Sequence, residues 1–276
     1  MSFMFTPPTK PSGIAEVFRF FDLLYHSTVR EVRKAKVNPM VGLLNDILQS
    51  MIYVAFFYFF MQIMGMRQLA VRGNEILFVM SGVFLFLVHV KAIGAVMKTK
   101  GPLNQMNLHT HVTSILNILA AALAAVYVQI LAFFIILFLT HVLLEPVEIY
   151  YPAGVALSFF VAWLAGVAIG NLFLAISVFL PKTMRIVAQT FQRVNMVFSG
   201  KFSLANLIPT AMWPMFAWNP LFHTIDFARS SMFINYTATR TDISYAIYVS
   251  LGVLLAGFMV DHWTRKFASE SWKARQ

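Results

Sequence analysis

Five long apolar stretches, separated by short polar segments, make up most of this chain. They cover about residues 41–64, 76–97, 112–139, 153–180 and 243–262. Each reaches the roughly 20 residues that a helix needs to cross a hydrocarbon core of about 30 Å. The pattern therefore predicts five membrane-spanning helices.

Apolar and charged residues alternate at helical spacing in residues 14–36, before the first apolar stretch. The apolar side chains that share one helical face are Val17, Phe20, Phe21, Leu24 and Tyr25. A helix that is polar on its other face and ends in a basic run lies in the membrane interface instead of crossing it. We predict that residues 1–38 form a cytoplasmic N-terminus with an amphipathic interface helix.

Basic residues cluster near both ends of the chain, and the positive-inside rule then places both termini in the cytoplasm. An even number of crossings is needed, and residues 186–204 are the remaining stretch long enough to supply the sixth. The predicted fold is an all-α integral membrane protein with six spans in residues 39–262. Residues 263–276 are predicted to be a cytoplasmic C-terminus.

The predicted fifth span, residues 186–204, carries polar side chains at membrane depth. These are Gln189, Gln192, Arg193, Asn195 and Lys201. Charged side chains at this depth are costly and almost always face the bundle interior or a water-filled path. We therefore interpret these residues as candidates for lining a channel. The alternative is that Arg193 and Lys201 extend to the two membrane surfaces and serve packing alone.

Residues 205–242 fall on the outer side but are mostly apolar and interrupted by proline. Asn219 followed by Pro220 is typical of a helix start. A helix from there to about Phe233 rises roughly 20 Å, which is too short to cross a bilayer. The segment therefore predicts a re-entrant helical hairpin between spans five and six. Asp226 and Arg229, three residues apart, are expected to pair within its helix.

Composition agrees with a membrane protein and removes several kinds of chemistry. Hydrophobic residues make up 59% of the chain and charged residues 12%, whereas a soluble domain is about half apolar and about one quarter charged. The absence of cysteine excludes disulfides and thiol catalysis. The sequence contains no G-x-x-x-x-G-K-[ST] loop for ATP and no H-E-x-x-H motif. We expect a non-catalytic chain with no cofactor or metal of its own and no nucleic-acid partner.

The segments "FLPKTMRIV", "FSGKF" and "WNPLFHTIDFAR" together resemble the permeases of ABC type-2 exporters. The matching positions at the fifth span are Pro181, Ser199 and Gly200. Those of the re-entrant motif are Trp218, Asn219, Pro220, Leu221, His223, Asp226 and Arg229. The order of interface helix, spans and hairpin is also similar along the whole chain. Its size and short loops look most like the branch that exports capsular polysaccharide or O-antigen.

The resemblance implies a half-transporter in the bacterial inner membrane that works as a homodimer with two copies of a separate ABC ATPase, which binds the ATP. It makes residues 98–111 the coupling segment, where an ordinary polar loop is the alternative. The coupling candidates are Lys98, Lys100, Pro102, Leu103 and Asn104. It further implies a lipid-linked polysaccharide substrate, a periplasmic adaptor and an outer-membrane export protein.

One difference from the family branch leaves the identity of the exported polymer open. The family branch shows a basic residue, Gly, Trp and Pro at the entry of the first span, and this chain has Lys36 and Gly42 without the Trp and Pro. The alternatives are a type-2 exporter of a small lipid or drug and, in a different class, a membrane-embedded enzyme or an assembly scaffold.

Overall fold

The computed structural model describes residues 13–34, 39–63, 71, 73–99 and 114–273. These residues form helices joined by turns and loops, with no strand among them. The helices are α1 (Gly13–Lys34), α2 (Pro39–Ile63), α3 (Glu75–Met97), α4 (Ser114–Leu143), α5 (Pro152–Ile176), α6 (Pro181–Phe198), α7 (Trp213–Ala217), α8 (Pro220–Met232) and α9 (Ile243–Lys273). A short 3-10 turn, Ala205–Leu207, lies between α6 and α7.

Five helices are long and apolar enough to cross a membrane. They are α2, α3, α4, α5 and α9, over Met40–Ile63, Glu75–Met97, Ile115–Leu143, Pro152–Ile176 and Ile243–Thr264. These correspond to the five apolar stretches of the sequence, so the helical character of the described residues is confirmed, together with five helices long and apolar enough to span a membrane. Within the described ranges α6 is not one of these helices, because its 18 residues include too many polar side chains. The sixth crossing therefore stays a prediction.

Helix starts follow local chemistry. Asn74 caps α3 by accepting a hydrogen bond from the backbone N–H of Leu77 at 3.0 Å. Proline occupies the first turn of α5, α6 and α8, where its missing N–H costs no helical hydrogen bond. The predicted start of α8 is confirmed, because Asn219 accepts from the N–H of Leu221 at 3.0 Å.

Helix α3 is the centre of the bundle. All its residues from Leu77 to His89 are buried, and it packs against α2, α4, α5 and α8. Helix α5 packs on its other side against α9. A helix that is apolar all round and buried on all sides is stabilised by burial and not by an amphipathic pattern.

The amphipathic helices α1 and α6 lie at the edge of the bundle. Helix α1 packs against α4, with Phe20 and Leu24 half-buried while Val17, Phe21 and Tyr25 of the predicted apolar face are exposed. Its helical structure matches the prediction, and its place in a membrane interface stays a prediction.

Some predicted boundaries differ from the structure, and some candidates lie outside the described residues. Helix α6 covers Pro181–Phe198, whereas the predicted fifth span covers residues 186–204. Helix α9 continues to Lys273, past the predicted span end at residue 262. Of the coupling candidates, Lys98 is an exposed residue at the C-terminal cap of α3. The others, Lys100, Pro102, Leu103 and Asn104, lie outside the described residues.

Candidate functional site

The candidate site is the connector between α6 and α9, residues 199–242, together with the helices that it contacts. It begins with a tight turn, residues 199–204, which we call the Ser-Gly turn. Ser199 caps α6, and Gly200 follows with a φ of +68°. This left-handed conformation ends many helices and favours glycine, because other residues pay a steric cost for their Cβ.

Arg229 of α8 holds the Ser-Gly turn in place through hydrogen bonds. Its guanidinium is 1% exposed and donates to the backbone carbonyls of Gly200 at 2.9 Å, Lys201 at 2.5 Å and Ser203 at 2.5 Å. A guanidinium carries five N–H donors in a planar fork, which suits several carbonyls of one turn. The turn is thereby held to α8 by one side chain.

Helix α3 completes the surroundings of this guanidinium. The hydroxyl of Ser81 accepts from Nε of Arg229 at 3.3 Å, and the guanidinium lies 4.1 Å from the ring centre of Phe78. A Cβ at Gly82 would lie 2.7 Å from the carbonyl oxygen of Lys201, so glycine allows the turn to lie directly on α3. The Ser-Gly turn is therefore fixed between α3 and α8.

Asp226, one turn before Arg229 on α8, organises the rest of the connector. Its carboxylate accepts from the Tyr236 hydroxyl at 2.6 Å, from the Thr241 hydroxyl at 2.7 Å and from the backbone N–H of Ala205 at 3.2 Å. Burial, and then the neighbouring Asp226 carboxylate, raise the pKa of Tyr236 above its ordinary value, so the phenol stays a neutral donor. Three separate parts of the connector thus meet at one carboxylate.

The predicted pairing of Asp226 with Arg229 is wrong for these described side chains. Arg229 donates to carbonyls of the Ser-Gly turn, while Asp226 accepts from hydroxyl and N–H donors in other segments of the connector. Each charged group satisfies its hydrogen bonds with neutral partners, as buried polar groups require. The two residues connect α8 to different segments, and their structural role stays a prediction.

His223 joins the two ends of the connector. Its Nδ1 accepts from the backbone N–H of Asp242 at 3.1 Å, which leaves the proton on Nε2 to donate to the Ala217 carbonyl at 2.8 Å. The Tyr245 ring of α9 lies 4.6 Å from the imidazole. The neutral imidazole therefore connects the end of α7 to the start of α9.

Asn219 connects the start of α8 to the end of α6. In addition to capping α8, its amide donates to Oδ1 of Asn195 at 2.6 Å and to the Phe198 carbonyl at 2.9 Å. Asn195 is 1% exposed. This side chain therefore faces the interior of the chain.

Lys201 differs from the other buried charged residues of the site, Asp226 and Arg229. Its ammonium is buried, and it lies 3.9 Å from the ring centre of Phe86, 4.3 Å from that of Phe57 and 4.9 Å from that of Phe202. Within the described part of the chain its Nζ has no hydrogen-bond partner. A desolvated cation–π contact is worth about 2 kcal/mol, whereas burying an ion costs several kcal/mol. We call these four residues the Lys201 cage.

The channel-lining candidates of the sequence thus divide into two groups. Asn195 and Lys201 are buried, while Gln189 and Arg193 are exposed and Gln192 is half-buried. The last three share one face of α6 with the exposed residues Lys182 and Arg185, because all are spaced three or four residues apart. We call this the polar face of α6.

The remaining residues of the predicted re-entrant motif also belong to the connector. Trp218 is exposed, donates to the Met215 carbonyl and accepts from the Tyr245 hydroxyl through its own carbonyl at 3.0 Å. Pro220 and Leu221 are buried at the start of α8. The structure therefore brings "FSGKF" and "WNPLFHTIDFAR" together as one unit.

Several residues that complete this unit were missed in the sequence. Ser81, Tyr236 and Thr241 supply partners to Arg229 or Asp226, and Phe57 and Phe86 form the Lys201 cage. A serine, a tyrosine, a threonine or a phenylalanine in an apolar chain has no distinguishing sequence pattern.

No protein-family model matches this chain, and the comparison with curated proteins finds no match either.

Proposed function

We propose that this chain is the membrane permease of an ABC type-2 exporter, acting as a homodimer in a bacterial inner membrane with both termini cytoplasmic. The polar face of α6 carries this proposal. Helix α6 is almost entirely unburied, with Ala188 and Asn195 its two buried residues, and its polar side chains converge on one side. A peripheral helix of this kind suits a water-filled path between two copies of the chain.

The connector supports the same proposal in a second way. The segments "FSGKF" and "WNPLFHTIDFAR" are separated by residues 203–217 in the sequence, yet they contact each other through Arg229 and Asn219. In the proposed arrangement α6 and the Ser-Gly turn form the sixth crossing. The connector then dips into the outer half of the membrane as a re-entrant element, where its backbone polar groups are covered by protein.

The proposed transport cycle takes its energy from another subunit. The sequence has no P-loop, so ATP would be bound by a separate ATPase that contacts residues 98–111. The substrate that fits a polar and basic path is a hydrated chain such as a lipid-linked polysaccharide. Hydroxyl groups of such a chain need hydrogen-bond donors and acceptors, which Gln189, Gln192 and Arg193 provide.

The test is surface display of polymer in a deletion strain of the source organism complemented with variants of this chain. Gln189→Ala combined with Arg193→Ala removes the centre of the polar face, and we expect polymer to accumulate inside the cell while the protein stays abundant in the membrane. Glu145→Ala combined with Glu148→Ala is the matched control, because it removes two exposed side chains of the α4–α5 loop.

Each result has a defined meaning. Normal export by the α6 variant at normal abundance would contradict the assignment of the polar face to the path. Polymer export that does not depend on the chain at all, with a small lipid or drug accumulating instead, would favour the alternative substrate class.

A further inference from the structure

Helix α2 is attached to the bundle along one narrow face. Its buried residues recur every three or four positions: Ile47, Ser50, Val54, Phe57 and Met61. The opposite face is exposed, with Ile52 at 68% and Phe56 at 59%. In the described structure α2 therefore contributes one side to the core, where it packs against α3 and α4.

Polar contacts hold α2 to α3 near both of its ends. At one end Gln62 donates to Glu75 at 2.5 Å. At the other, Lys91 donates to Gln49 at 2.7 Å and lies 3.5 Å from a carboxylate oxygen of Asp46. Between these two contacts α2 meets the Ser-Gly turn through the Lys201 cage.

The cage contact is made by both Lys201 and its neighbour. The Phe202 ring lies 4.9 Å from that of Phe57 and 6.0 Å from that of Phe60, centre to centre. Phe57 belongs to α2 and Phe86 to α3, so the ammonium is inserted between the two helices. Neither a carboxylate nor a carbonyl accepts from it among the described residues.

A cation held only by aromatic faces behaves differently from one held by acceptors. In the closed cage the ammonium has lost its hydration, and three ring contacts compensate for part of that loss. When α2 moves away, the contact with the Phe57 ring is lost, and water that enters the opening can hydrate the ammonium again. A neutral side chain of the same length would gain no hydration energy when α2 separates from α3.

We propose that Lys201 forms a releasable contact with α2. The contact positions α2 against α3 and the Ser-Gly turn, and it keeps the free-energy cost of separating α2 from them low. Arg229 and Gly82 hold the backbone of Lys201 in place on the other side. The moving part is therefore α2 and not the turn. This inference does not depend on the proposed transport activity, because it concerns the attachment of one helix.

The test measures how often the buried face of α2 becomes accessible. The chain has no cysteine, so Met61→Cys supplies a single thiol on that face, at a position that is 6% exposed. Labelling by a maleimide is followed in the full chain reconstituted into lipid nanodiscs. Lys201→Met in this background is expected to slow labelling roughly fivefold, because the neutral side chain favours the closed cage.

A second pair of variants tests the cage from the opposite direction. Phe86→Leu removes the nearest ring and is expected to accelerate labelling roughly fivefold. Phe84→Leu is its matched control, because Phe84 is also buried on α3, at 0% exposed against 7% for Phe86, but contacts Phe133 instead of the cage. Lys182→Met, on the exposed face of α6, is the control for loss of a lysine.

Clear outcomes overturn the inference. Labelling of Lys201→Met at the parent rate or faster would mean that the ammonium does not promote release. Equal acceleration by Phe86→Leu and Phe84→Leu would mean that any lost ring loosens α2. If Lys201→Met yields no folded protein, the comparison of the two phenylalanine variants decides alone.

Discussion

Two neighbouring regions of the connector each bury a cation, and they do so in opposite ways. Around Arg229 the guanidinium is 1% exposed and donates to three carbonyls and a hydroxyl. Around Lys201 the ammonium is 2% exposed and meets aromatic rings alone. The first arrangement exchanges hydration for hydrogen bonds, and the second leaves most of that loss uncompensated.

The comparison shows that one short turn makes two kinds of contact, one through its backbone and one through a side chain. Arg229 binds the carbonyls of the Ser-Gly turn, so the backbone of the turn is held against α3 and α8. The side chain of Lys201 extends from the same turn toward α2 and forms a contact that is weaker by its chemistry. Arg229 thus provides a rigid attachment of the turn to α8, and Lys201 provides a releasable attachment of the same turn to α2.

The largest expected effect comes from breaking the rigid attachment. Arg229→Met removes the side-chain donor from three carbonyls, of which only that of Gly200 keeps another donor among the described residues, the N–H of Ser203. We expect it to lower the free energy of unfolding by about 3–5 kcal/mol. Thermal unfolding in detergent, together with abundance in the membrane, measures this. Arg240→Met is the control, because Arg240 is half-buried and donates to one carbonyl, that of Ile208 at 2.7 Å. Equal destabilisation by the two variants would contradict the role of Arg229.

A smaller effect is expected from the carboxylate that organises the rest of the connector. Asp226→Asn keeps the shape but replaces one acceptor oxygen by a donor amide, which conflicts with the donors around it. We expect a loss of about 2 kcal/mol of stability. Asp242→Asn is the matched control, since Asp242 is exposed and accepts from the N–H of Ser244. The prediction fails if Asp226→Asn unfolds at the parent temperature.

The smallest effect is expected at Lys201, and its sign is reversed. Lys201→Met removes a buried charge and keeps an apolar chain among three rings, so we expect stability to rise by up to about 1 kcal/mol. The same unfolding measurement applies. A loss of stability as large as that of Arg229→Met would show that the two cations play equivalent roles.

Much of the fold follows from local pattern. The five apolar helices occur where the stretches of hydrophobic residues predict them, and α8 begins at Asn219 as the cap-and-proline pair predicts. The end of α6 at Ser199 and Gly200 follows from glycine's access to the left-handed region. These features depend on interactions within a few residues, which the sequence displays directly.

The partners of the charged residues did not follow from local pattern. Spacing on a helix favours a pair between Asp226 and Arg229, but the connector offered each of them better partners from residues 81, 200, 203, 236 and 241. Likewise, the polar residues of the predicted fifth span resembled one continuous stripe. Their division into a buried pair and an exposed face depends on how α6 and the Ser-Gly turn pack against α3, α5 and the start of α8.

By itself the sequence determined that this protein is helical, that it belongs in a membrane, and where most of its helices begin and end. Hydrophobic length and capping are local, so they require no knowledge of neighbours. Only the tertiary structure decided which buried cation is satisfied and which is not. That distinction depends on a serine of α3, a phenylalanine of α2 and backbone carbonyls of a turn, groups brought within a few ångströms only by packing.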